Sequence, residues 1–201
     1  PKKPGRPSHH PLKAGLGCGY VVNLWNRRGD SHTAHQSIAF YEQTRQELLS
    51  AVRIRWVLAD SGFADDNFLA HLEQQNQRYV VALRLTAYVQ QAIRDIREWK
   101  ELQPGLEVAH ITAALSTWPK SRRLVVIRQH VPTRPKATGK QPLLFQDLED
   151  HCDYRYTVLV TNELALAPEE IWQTYRPRAN VENCIRELKE GYGWHEFNVR
   201  S

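Results

Sequence analysis

Two hydrophobic periods divide the chain. Near its start, "HPLKAGLG" and "GYVVNLWNRRGD" are short apolar runs broken by glycine. They predict neighbouring antiparallel strands with turns at residues 17–19 and 29–30. From Ser37 the spacing changes: Ile38, Tyr41, Leu48, Leu49 and Val52 recur at helical intervals through "SIAFYEQTRQELLSAV", which predicts an amphipathic helix. "IRWVLAD" is then a compact apolar run ending on Asp60 and a Ser-Gly turn. Asp65 or Asp66 offers an N-cap for the helix "DNFLAHLEQQ", and "RYVVALRL" predicts another buried strand. This strand–helix–strand–helix–strand order implies an α/β fold, a mixed sheet with a parallel portion.

From about residue 86 to 161 the pattern is β-rich. "HITAAL", "RRLVVIRQHV" and "YRYTVLVTN" predict strands in succession without helices, around the polar loop "PTRPKATGKQP". Pro168 then opens a helix, "PEEIWQTY", proline being favoured at the first helical position. A second helix is expected from near Pro177 to about Glu190, with Gly191 as its stop. The expected organisation is one domain: a core beginning in residues 1–85, a β-rich insertion over 86–161, and core helices over 162–201.

Composition narrows this only modestly. A net charge of +5 and a pI near 9.2 lean towards a polyanionic partner. Cys18, Cys152 and Cys184 are widely spaced and form no C-x-x-C pair, which argues against a disulfide framework or a structural zinc site and suits a reducing compartment. No apolar run approaches the roughly 20 residues needed to span a bilayer, so a soluble, cytosolic protein is expected, without a membrane partner. The basic, proline-rich opening "PKKPGRPSHH" reads as an extended lead-in. The absence of an initial Met suggests a fragment of something longer.

Candidate chemistry lies at two places. Asp60 ends an apolar run, where ligands gather in open α/β sheets; it equally suits a capping or turn aspartate. In "YRPRANVENCIRELK", taken as a helix, Arg178, Glu182 and Lys189 fall within roughly 40° of one another. Glu182 is open to a plain i,i+4 pairing with Arg178 or Arg186. Together, Asp60 and Glu182 suit Mg²⁺, a hard cation that keeps its waters and needs few protein oxygens. Metal pairs of this kind drive phosphoryl transfer. Lys189 would meet a phosphate as a point charge and Arg178 as a fork of donors.

The same residues carry a family resemblance. Tyr175, Arg178, Glu182 and Lys189 fit the Y-(2)-R-(3)-E-(6)-K signature of DDE transposases of bacterial insertion sequences. "LADSGF" resembles the segment bearing that group's second catalytic aspartate, with Asp60 in its place, and the insertion before the glutamate helix is similar too. The resemblance implies an RNase H-like core, with Asp60 and Glu182 as catalytic metal ligands and Tyr175, Arg178 and Lys189 on transposon-end phosphates. It implies Mg²⁺, with Mn²⁺ as a substitute, and double-stranded DNA as partner, both terminal inverted repeats and target. It also implies a dimer on DNA and a cytoplasmic, nucleoid-associated location.

The family's first acid has no counterpart. Asp30 stands only 30 residues before Asp60 and reads as a turn residue, so the opening strand and its aspartate are expected to be missing and the fragment inactive alone. Two alternatives remain open: a non-catalytic DNA-binding remnant, and an RNase H-like nuclease. Among smaller features, His32 and His35 read as an unremarkable pair. Trp99 and Trp118 suit either subdomain packing or stacking on a base. Arg122, Arg123 and Arg128, with Arg134, Lys136 and Lys140, suit either a DNA track or a solvated strand face.

Overall fold

The computed structural model describes residues 11–27, 36–48, 52–115, 118–131 and 154–178. Within the chain, two compact units separate: Pro1–Ile54 with Thr174–Ser201, and Arg55–Gln173.

In the first unit, β1 (Leu12–Gly15) and β2 (Val21–Trp25) form an antiparallel hairpin, as the glycine-broken runs predict. Gly19 at the turn has φ 96°, a conformation glycine adopts without Cβ strain. One hairpin face meets helix α1 (Ser37–Glu47): the Asn23 amide donates to Thr44 Oγ1 at 3.1 Å, the Trp25 indole donates to Gln43, and Trp25 packs edge-on against Phe40. Helix α1 is shorter than its apolar spacing suggests, and a different stripe is buried. Ser37, Phe40, Tyr41 and Thr44 lie inward, whereas Leu48 is already extended backbone beyond the helix. Thr44 is accommodated because its hydroxyl donates to the Phe40 carbonyl one turn back, at 2.6 Å.

The second unit is built on a six-stranded mixed sheet in the order β3-β4-β8-β7-β6-β5. Its strands are β3 (Val57–Ala59), β4 (Tyr79–Leu83), β5 (Lys100–Gln103), β6 (Leu106–Ala113), β7 (Arg122–His130) and β8 (Tyr154–Thr161). Only β3 and β4 are parallel; the other pairings are antiparallel. The parallel pair is joined through a 3-10 turn (Ser61–Phe63) and helix α2 (Asp66–Gln74), the crossover that parallel strands require. The β-rich stretch joins this sheet directly, since β8 pairs with β4. Two elements there differ from the expected run of strands: helix α3 (Ala87–Arg94), capped by Thr86, and the short edge strand β5. The eight residues of α3 bury little beyond Val89 and Ile93, so their apolar period is too brief to read.

Consecutive residues of the central strands are fully buried: Val80 and Val81, Leu124 to Val126, Leu159 and Val160. Adjacent strand residues face opposite sides, so both faces are covered. Arg122 on β7 reaches α2, while its neighbour Arg123 holds the loop that leads to α4 (Pro168–Tyr175). Helices therefore flank the sheet on both sides, an arrangement compatible with an RNase H-like core.

The helix ends follow from sequence. Asp65 Oδ1 accepts from the amides of Asn67 and Phe68, at 3.1 and 3.4 Å, opening α2. Pro168 opens α4, and the Glu170 carboxylate reaches back to the Ala167 amide at 2.8 Å. Replacing Asp65 by Ala is expected to cost about 1 kcal/mol, read as a lower denaturation midpoint at constant slope. An unchanged midpoint would show that the cap contributes nothing.

Candidate functional site

The first candidate residue closes β3. Val57–Ala59 pair with Tyr79–Val81 of β4, so Asp60 stands level with Ala82, just past the strand. Its backbone is still extended, at φ −82° and ψ 177°, and the chain then turns sharply through Ser61 and Gly62. The turn is closed by Asp60 itself: Oδ1 accepts from the Gly62 amide at 2.9 Å, and its carbonyl accepts from the Phe63 amide at 3.1 Å. Asp60 thus makes the capping contact that its spacing allowed. That contact leaves the residue exposed at the carboxyl end of a parallel strand. The cap and an exposed acid are compatible, because a carboxylate offers about four lone-pair positions and the amide takes one.

The signature residues are placed as far as Arg178. Tyr175 is the last residue of α4 and is buried at 9% exposure; Arg178 is half-buried and ends the 3-10 turn Arg176–Arg178. The signature is therefore not one smooth helix from its tyrosine onward. Pro177 lacks an amide proton, so it cannot continue the α-helical hydrogen-bond ladder, and α4 gives way to the 3-10 turn. Asp60 belongs to the second unit, Tyr175 and Arg178 to the first. Glu182 and Lys189 lie outside the described residues, as do Asp30, His32, His35, Cys152, Cys184, Arg134, Lys136 and Lys140.

The arginines of β7 correct one expectation. Arg122, Arg123 and Arg128 are neither a solvated face nor an open DNA track. Arg122 is 3% exposed at its side chain and bridges Asp66 (2.6 Å) and Glu73 (2.8 Å) of α2, with Trp118 against its guanidinium. Arg123 donates to the carbonyls of Glu163 and Leu166 at 2.9 and 2.8 Å. Arg128 pairs with Glu107 at 2.6 Å across the β6–β7 ladder and lies between the rings of Trp99 and Tyr154. The two tryptophans therefore pack on arginines within the second unit. A strand whose residues are buried in succession on both faces leaves its charges only internal partners, and "RRLVVIR" already had that run.

Glu73 is the electrostatic centre of the α2 contact. Burial pushes its carboxyl up, but hydrogen bonds from Arg122, Lys120 and Tyr79 outweigh this and hold it at about 2. Burial, then the Glu73 carboxylate, push the Tyr79 hydroxyl upward in turn. These groups stabilise the fold and sit away from Asp60: Tyr79 begins β4, whereas Asp60 follows the end of β3.

Among the described residues no group of three or more His, Cys, Asp or Glu is clustered to hold an ion. Asp60 is an exposed hard-oxygen donor, the type that suits Mg²⁺, and Glu182 is its expected counterpart in sequence. No helix among the described residues is long and apolar enough to cross a membrane.

None of the curated proteins compared matches the chain. A family profile does: the one described as "Transposase DDE domain" matches residues 14–201, taking in the hairpin, the mixed sheet, Asp60 and the whole Tyr-Arg-Glu-Lys stretch. With nearly its full length matched, and an acid at the end of the parallel strand, the chain belongs to the transposase DDE domain family.

Proposed function

We propose that the chain is the catalytic part of a DNA transposase of the insertion-sequence group with the Tyr-Arg-Glu-Lys signature. The full-length transposase cleaves phosphodiesters at transposon ends and transfers the freed 3′ end into target DNA. The observation that carries this is Asp60 at the carboxyl end of β3, in a chain matched to transposase domains over residues 14–201. Residues 86–161 act as an insertion in the core, and 162–201 supply the late helices. Asp60 and Glu182 hold the divalent cation. When bound, Mg²⁺ would supply activation of the attacking water or 3′-hydroxyl and stabilisation of the leaving oxygen. Tyr175, Arg178 and Lys189 position the end phosphates: Arg178 by forked donation, Lys189 as a point charge, Tyr175 through its hydroxyl. The working species is a dimer on paired ends in the nucleoid.

The test is Mg²⁺-dependent cleavage of DNA bearing the element's own terminal repeats by the full-length protein. Absence of cleavage, with DNA binding retained, would favour the non-catalytic remnant. Lys189→Ala is expected to flatten the plot of log affinity against log salt by about one unit, the loss of one phosphate contact. An unchanged slope would return Lys189 to a solvated surface role.

A further inference from the structure

With Arg122, Arg123 and Arg128 engaged internally, one cation stands out by its placement. Arg84 directly follows β4, is exposed, and its guanidinium makes no hydrogen bond, ion pair or ring contact among the described residues. Its main chain is nevertheless fixed. The Arg84 carbonyl accepts from the Thr86 amide at 2.8 Å, and the Thr86 hydroxyl caps α3 through the Val89 amide at 3.5 Å. The side chain is thus anchored at its root and unpaired at its tip.

Register puts Arg84 near the candidate acid along the sheet. Ala59 pairs with Val81, so Asp60 is level with Ala82, and Arg84 lies two residues further along the neighbouring strand's path. Carried one residue past the ends of β3 and β4, two-residue alternation gives Asp60, Ala82 and Arg84 the same parity. Ideal strands about 4.8 Å apart with a rise of about 3.3 Å per residue separate two such positions by roughly 8 Å at Cα. An arginine spans that gap, and its planar fork matches phosphate oxygens.

We propose that Arg84 is a DNA-binding residue that takes a backbone phosphate of the strand presented to Asp60. This rests on the transposase function proposed above. The guanidinium is carried on ordered backbone and is paired with no carboxylate among the described residues. Neutralising one phosphate releases condensed counterions, so the contact is read in the salt dependence of binding.

The experiment compares binding of a terminal-repeat duplex to the full-length wild type, Arg84→Ala, Arg84→Lys and Arg55→Ala across a salt series. Arg55 is the control: it is exposed and precedes the opposite, amino end of β3. Arg84→Ala is expected to bind about five- to tenfold more weakly near 0.15 M salt, with a slope flatter by about one unit. Arg84→Lys should keep the slope, Arg55→Ala should bind like wild type, and all four should unfold at the same temperature. The proposal is overturned if Arg84→Ala matches wild type, if Arg55→Ala loses as much, or if Arg84→Lys is as flat as Arg84→Ala. A wild type that binds no DNA overturns the transposase function itself, and this proposal with it.

Discussion

Asp60→Asn in the full-length protein is expected to lose Mg²⁺-dependent cleavage by more than about a hundredfold, since disturbing even the outer partners of a metal site costs roughly 10- to 100-fold. The structure makes this substitution informative. Asp60 Oδ1 accepts from the Gly62 amide at 2.9 Å, and an asparagine carbonyl oxygen can accept in the same place. The turn after β3 is therefore preserved while the negative charge is removed, so an unaltered unfolding midpoint should accompany the lost activity. Asp60→Ala, by contrast, removes charge and cap together and confounds the two roles. Glu182→Gln is expected to behave like Asp60→Asn, and higher Mg²⁺ should partly rescue either variant through mass action. Full cleavage by Asp60→Asn would leave Asp60 a turn aspartate and nothing more.

The second large effect concerns stability. Arg122→Ala is expected to destabilise the domain by about 3 kcal/mol, the lower end of the cost of removing one partner from a buried pair. The low end applies because Glu73 retains Lys120 at 2.5 Å and the Tyr79 hydroxyl at 2.7 Å. The same network sets a pH dependence. Glu73 is held at about 2, below its usual 4.5, so its contribution is complete above pH 4.5 and disappears as pH falls from there towards 2. Its side chain is 15% exposed, and after discounting for screening at that edge the contribution is about 1–2 kcal/mol. Chemical denaturation from pH 6 to 2.5 should show a shallower acid loss for Glu73→Gln than for wild type. Superimposable acid limbs, after allowing for a constant offset, would remove Glu73 as the titrating group.

Most local signals were readable in the chain. The hairpin follows from runs broken by glycine, α2 from a cap at Asp65 or Asp66, which proves to be Asp65, and α4 from Pro168. Asp60 was legible as a strand end because β3 stops where the Ser-Gly turn begins. Other features were not. The buried stripe of α1 includes Ser37 and Thr44, polar residues that only a hydrogen-bonded environment makes acceptable there. Helix α3 was hidden by its short amphipathic period and β5 by its mostly polar sequence. Arg84 drew no notice, since its value lies in having no partner among the described residues while Arg122, Arg123 and Arg128 have them.

By itself the amino-acid sequence determined the type of most elements, the starts of α1, α2 and α4, the acid-bearing turn and the Tyr-Arg-Glu-Lys spacing. Each is settled by contacts within a few residues, where period, proline geometry and capping hydrogen bonds operate. Tertiary structure alone decided which charges are internal and which face solvent. Arg122 meets Asp66 from 56 positions away, and β8 returns to pair with β4 across the whole intervening stretch. Electrostatic pairing depends on distance in space, and the chain's own order carries no record of that distance.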